Sequence, residues 1–155
     1  MRPPLTSRRK QAIQSYLRGE GIIVRNPFEN RDYSFPRETH DGYCIFFDLT
    51  AKKCRIHPVK PETCVAGPIT FDINRETGKI EWFVKSEKIC LLAAALYRDK
   101  ESFDRHWKSA KGEILTLVQN LDSRALCAIL AISEPDTYKF NEEYLNPEVV
   151  AKLKR

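Results

Sequence analysis

Two periods of apolar spacing run along this chain, and the change from one to the other falls near Cys90. Pro3-Pro4 predicts an extended opening. Thr6 or Ser7 is positioned to cap a helix running to about Arg18, with Ile13, Tyr16 and Leu17 on its apolar face and Gly19 and Gly21 as its stop. Ile22 to Val24 predicts a short strand. Residues 26–42, NPFENRDYSFPRETHDG, are polar and rich in turn formers and predict a surface loop. Residues 43–49 (YCIFFDL) and 54–57 (CRIH) predict a hairpin across TAKK, and residues 57–64 (HPVKPETC), with two prolines, an irregular segment. The clearest hairpin is 69–73 (ITFDI) with 79–84 (KIEWFV), alternating on both sides of the Gly-bearing turn 74–78.

Beyond Cys90 the spacing becomes helical. Residues 90–98 (CLLAAALYR) form one short segment. Across 100–121, Phe103, Trp107, Ala110, Ile114, Leu117, Val118 and Leu121 recur at threes and fours, predicting the longest helix with one apolar stripe. Trp107, Ile114 and Val118 are expected to be buried. Gly112 lies inside that helix and weakens it by about 1 kcal/mol relative to Ala. Residues 123–132 predict another helix capped by Ser123, and Pro147 after Asn146 starts a last exposed turn or two. The fold class expected is α+β: a small, irregular, β-hairpin, cysteine-bearing front half packed on an α-helical back half. Residues 1–155 are expected to form a single domain, with 1–95 and 96–155 as its two regions.

Composition narrows the class. With 42% hydrophobic and 30% charged residues, the chain has an ordinary globular composition. No apolar run approaches the roughly 20 residues that span a bilayer, and MRPPLTSRRK lacks the apolar stretch of a secretory signal. A cytoplasmic protein without membrane contact is expected. The net charge of +5 is concentrated in residues 1–19, where Arg2, Arg8, Arg9, Lys10 and Arg18 meet no acid. The one aromatic there, Tyr16, is assigned to the apolar helix face rather than interleaved with the basic residues for base stacking, so nucleic acid is not the expected partner.

The five cysteines, at 44, 54, 64, 90 and 127, carry the candidate chemistry. Cys127 sits in LCAIL, an apolar helical face, where a cysteine acts as a small hydrophobe. Cys44, Cys54 and Cys64 form C-x9-C-x9-C over turns and prolines, and Cys90 opens a helix after the second hairpin. Disulfides, unrelated buried thiols and a metal or iron–sulfur site all remain open to such a set. Thiolates suit zinc and iron, and Lys53 and Arg55 are expected to lower the thiol pKa values. Compact zinc modules use closer cysteine pairs, but a hairpin returns residues with nine others between them to nearby positions. His57 is a further candidate ligand and His40 a weaker one. His106, beside Trp107, reads as a boundary residue of its helix. A nucleophilic Cys64 served by Glu62 and His57 is the minor alternative.

Local sequence adds to spacing. Asp41-Gly-Tyr-Cys-Ile-Phe-Phe-Asp48, Lys53-Cys-Arg-Ile-His57 and Lys60-Pro-Glu-Thr-Cys64 stand in the order and at the gaps of the zinc- or iron-chelating cysteine-cluster family, also called CxxCxxCC or YkgJ-like. Residues 4–95 resemble that family, and Ile69 to Cys90 resembles its following hairpin and further cysteine. The N-terminal CxxCxxCC segment itself is lacking. Pro4-Leu-Thr6 and the helix after it resemble the family's continuation beyond that segment, so the chain is expected to begin just after the cluster, either at an internal methionine or as a member with half the ligands. The resemblance implies a metal-binding protein holding zinc or an iron–sulfur cluster through Cys44, Cys54, Cys64 and Cys90, with the centre absent if the remaining shell is too incomplete. Some members of the resembled family are described as oxidoreductases or protein lysine methylases, and the residues here support neither activity independently. The competing expectations are a non-metal protein-interaction module with incidental thiols, and a redox enzyme using a cysteine pair.

Overall fold

The structure is a computed structural model that describes residues 2–154. The chain divides into two compact units, Met1–Cys64 and Val65–Arg155, and its class is α+β.

In the first unit, helix α1 spans Ser7–Gly19. Thr6 caps it, its hydroxyl accepting the backbone N–H of Arg9 at 3.1 Å. Ile13 and Leu17, four residues apart, are buried. The helix closes where Gly21 adopts a φ of +64° and Ile22 N–H reaches Leu17 O at 2.9 Å. Ile22 and Val24 pack on the core while Ile23 points to solvent. That alternation suggested a strand, but the segment pairs with no other strand among the described residues, and an extended segment without a ladder is not a strand.

The segment 26–42 is not a plain loop. It holds an antiparallel hairpin of β1 (Phe28–Asn30) and β2 (Ser34–Pro36). Phe35 is buried and Ser34 O accepts Leu5 N–H at 2.9 Å. The surrounding polar residues hid this three-residue signal. The next hairpin is shorter than its sequence suggested: β3 is Phe47–Asp48 and β4 is Lys53–Cys54. Cys44 O accepts Phe47 N–H at 2.8 Å in a turn that ends the ladder early. Asp48 Oδ1 accepts the N–H groups of Thr50 and Ala51 at 2.9 and 2.8 Å, which closes the connection. A 3-10 turn, His57–Val59, leads to the short helix α2, Glu62–Ala66. Leu5, Ile13, Leu17, Phe46 and Ile56 form the core of this unit.

The second unit carries a three-stranded antiparallel sheet, ordered β5 (Ile69–Asn74), β6 (Lys79–Lys85), β7 (Thr137–Tyr144). The β5–β6 hairpin is as its sequence predicted. Asn74 Oδ1 accepts the N–H groups of Glu76 and Thr77, both at 3.1 Å, and Gly78 takes a φ of +70° that other residues rarely adopt. Ile80, Trp82 and Val84 point inward. β7 breaks the expectation of a wholly helical back half. A bulge opposite Trp82 and Phe83 disrupts its register, so its polar and apolar residues do not alternate.

Four helices complete this unit: α3 (Leu91–Tyr97), α4 (Lys100–Asn120), α5 (Ser123–Leu130) and α6 (Pro147–Leu153). α4 is the longest, at 21 residues, and buries Ala110, Ile114, Leu117 and Val118. Trp107 is half-buried rather than fully covered, its ring meeting Trp82 edge-on at 4.7 Å and Phe140 at 4.9 Å. The cap of α5 is Asp122, one residue before the expected Ser123; its Oδ1 accepts Ala125 N–H at 2.8 Å. Ser123 instead donates to Lys152 O at 2.6 Å. α6 is not merely exposed, because Val149 and Leu153 are buried. Among the described residues no helix is long and apolar enough to cross a membrane.

Candidate metal centre

The first unit carries three cysteines, one before β3, one at the end of β4 and one in α2. Cys44 sits where the chain leaves an isolated bridge to Glu38 and turns into β3. Cys54 ends β4, opposite Phe47. Both are half-buried and pack against the cluster of Phe46 and Ile56. Cys64 lies in α2, placed there by Pro61 and the helical turn that follows.

These thiols feel one another. Burial pushes the Cys44 thiol above its ordinary range, and the Cys54 thiol adds to the shift. Cys64 is pushed up to about 11, first by desolvation and then by Cys44 and Cys54, against a smaller lowering by Lys60. The expected lowering by Lys53 and Arg55 is therefore overturned for these two thiols: burial is the largest influence on both and raises them, and the opposing influences are the backbone at Phe46 and Phe47 for Cys44 and Lys60 for Cys64. Cys64 is nevertheless exposed as a residue. Its open surface governs access to the sulfur, while crowding on the other side governs ionisation. All five cysteines are free thiols.

Cys90 belongs to the second unit. It precedes α3, its N–H donating to Ser86 O at 3.1 Å and its carbonyl accepting Ala93 N–H at 3.0 Å. Cys127 is half-buried in α5. His57 is exposed, its Nε2 3.5 Å from Lys60 Nζ, and His40 is exposed beside Asp41. His106 is a boundary residue, with Nε2 3.0 Å from Ala66 O.

The donor chemistry suits a thiophilic ion, with three soft sulfurs in one neighbourhood. Their arrangement is not a preformed cage: among the described residues no three His, Cys, Asp or Glu side chains are gathered closely enough to hold a metal ion. Closing a ligand shell requires the sulfurs to move.

The turn before Cys64 is tied to α1 by a buried polar cluster that sequence patterning did not reveal. Glu62, 1% exposed, accepts the Thr6 hydroxyl at Oε1, 2.6 Å away. Arg9 Nε stands 3.8 Å from the same oxygen, and Arg9 Nη1 donates to Lys60 O at 3.1 Å. Glu62 Oε2 is buried without a hydrogen-bond partner among the described residues. Thr6 was legible as a helix cap, but a long-range bond from a capping hydroxyl leaves no periodic trace.

A family model, CxxCxxCC, described as "Putative zinc- or iron-chelating domain", matches residues 5–94, more than half of the chain. The chain belongs to the CxxCxxCC family. The matched stretch takes in Cys44, Cys54, Cys64 and Cys90 and leaves Cys127 outside. It also includes Thr6, Arg9 and Glu62, so the polar tie lies within the family domain. No curated protein and no solved structure matches the chain.

Proposed function

We propose that this CxxCxxCC-family protein binds a metal through cysteine thiolates, with zinc or an iron–sulfur cluster as its centre, in the cytoplasm. The observation that carries this reading is the shared neighbourhood of Cys44, Cys54 and Cys64: Cys54 raises the Cys44 thiol, and Cys44 and Cys54 both raise that of Cys64, in each case after burial. Cys90 completes the proposed ligand set. Zinc would tie these turns together, and an iron–sulfur cluster would add electron-transfer capacity. Because the Cys44 and Cys64 thiols are held protonated, loading releases protons and strengthens as pH rises.

The test is metal content per chain after anaerobic purification, beside the ultraviolet–visible spectrum. Cys54→Ser and Cys64→Ser are expected to lose most of the metal, Cys90→Ser part or all of it, and Cys127→Ser none. Cys127→Ser costs only stability, on the order of 1–3 kcal/mol for a hydroxyl placed on an apolar face. Equal metal in wild type and all four variants sinks the ligand assignment.

The second reading is a protein-interaction module with incidental thiols. It is favoured by the absence of a gathered donor set among the described residues and by the exposed Tyr43, Phe47 and Leu49 beside the cysteine turns. A colourless, metal-free wild type that stays folded favours it over the first.

A further inference from the structure

We propose that Glu62 is a positioning residue: bound by Thr6 and Arg9 at the head of α1, it fixes the turn that presents Cys64. The inference builds on the thiolate reading of the site and adds to it a control element outside the ligand set.

The geometry singles out this carboxylate. Two consecutive ties precede Cys64, one on the backbone at Lys60 and one on the side chain of Glu62, and both run to the first turn of α1. Thr6 is 5% exposed and Glu62 1%, so water does not compete for the 2.6 Å bond between them. Thr6 also caps α1 through the same oxygen that donates to Glu62. The helix start and the cysteine turn therefore share one hydroxyl.

Stability alone is a poor reason for such an arrangement. Burying a carboxylate is costly, and a well-packed apolar pair in its place is often no less stable. The half-satisfied state of Glu62, with Oε2 lacking a hydrogen-bond partner among the described residues, makes that cost larger here. What a short, directional bond adds over apolar packing is a fixed orientation. Thiolate ligands need that, because metal–sulfur distances tolerate only about 0.2 Å of error. Glu62 and Cys64 lie two positions apart on α2, about 200° around a helix, so Glu62 can hold the buried side while Cys64 is exposed.

Glu62→Met removes the tie while keeping side-chain volume and the α1 cap. Glu62→Gln keeps an acceptor for the Thr6 hydroxyl and is the conservative control. Thr6→Val breaks the same bond from the other side and serves if Glu62→Met does not fold. In the metal-free full chain, the rate of iodoacetamide modification at each cysteine is read by peptide mass spectrometry at one fixed pH. Cys64 is expected to react at least threefold faster in Glu62→Met, to stay within about 1.5-fold of wild type in Glu62→Gln, and Cys127 to remain unchanged. With zinc, the apparent affinity of Glu62→Met falls about tenfold, the lower end of what outer partners of metal ligands contribute, and Glu62→Gln recovers most of it. An unchanged Cys64 rate in folded Glu62→Met overturns the proposal, as does a uniform acceleration of all five cysteines, which marks general loosening. The alkylation arm uses no metal, so a wild type that binds none overturns the metal reading and leaves this test decisive.

Discussion

Phe46 and Phe47 are neighbours in sequence with opposite roles, and a paired substitution measures how firmly the cysteine turns are anchored. Phe46 is 0% exposed, lies 6.0 Å from the Phe28 ring, and belongs to the cluster against which Cys44 and Cys54 pack. Phe46→Ala loses a transfer contribution of about 2–3 kcal/mol. It also leaves a cavity of roughly 100 Å³, which at about 24 cal/mol per Å³ adds about 2 kcal/mol where the surroundings cannot collapse. The expected cost is about 4 kcal/mol, comparable with a large part of a domain's whole stability. Phe47 is 36% exposed and stacks on Tyr43 with ring centroids 6.0 Å apart. Phe47→Ala loses little more than that pair, about 1 kcal/mol.

Both tryptophans, Trp82 and Trp107, lie in the second unit, so tryptophan fluorescence is a poor reporter for the first. Amide hydrogen exchange of α1, whose Ile13 and Leu17 share the cluster with Phe46, reads the loss directly. At 1.4 kcal/mol per factor of ten, protection of those amides falls about a thousandfold in Phe46→Ala and about fivefold in Phe47→Ala. Similar losses in the two variants, or less than a tenfold loss for Phe46→Ala, would refute the placement of Phe46 as the anchor of the cysteine turns.

Two further outcomes concern the second unit. Gly112 sits in the interior of α4, and a Cβ added there meets nothing within 4 Å, so Gly112→Ala is expected to stabilise by about 0.5–1 kcal/mol and to raise the melting temperature by about 2–4 °C; a fall would show that the site is not open. Glu142 is held at a pKa of about 2 by hydrogen bonds from Lys139 and then Lys79. Its folded value lies below its unfolded one, so its contribution is present above the ordinary value of 4.5 and is lost as pH falls from there toward 2. Glu142→Gln should therefore flatten the decline of melting temperature in that window, and less so at high salt; parallel wild-type and variant curves would contradict the pairing.

Legibility from sequence tracked how far each element depends on partners. The β5–β6 hairpin and α4 were readable because a turn chemistry and a sustained stripe each determine their own register. β7 was not, since its place is set by pairing with β6 across a bulge. The β1–β2 hairpin escaped notice for a related reason: three-residue strands offer too few positions for alternation to register, and only the burial of Phe35 makes that segment part of a core. Ile22 to Val24 shows the converse, a correct alternation with no ladder to join.

The cysteine neighbourhood was legible from context, and its openness was not, because that openness is a matter of register. Nine intervening residues between Cys44 and Cys54 suggested that a hairpin would set them side by side. The observed pairing puts Phe47 opposite Cys54 and Asp48 opposite Lys53. Continued in the same register, Cys44 would face residue 57, three positions beyond Cys54. The ladder stops before that, where Cys44 O takes the Phe47 N–H into a turn. Cys44 therefore lies outside the ladder while Cys54 is paired within it, so the two do not face each other across the hairpin, and Cys64 approaches from α2, held by a carboxylate that no spacing rule would have chosen. A metal that draws these sulfurs together has to work against the β3–β4 register or recruit motion in the turns, so loading should be read as a change in the protection of residues 44–54 as much as in metal content.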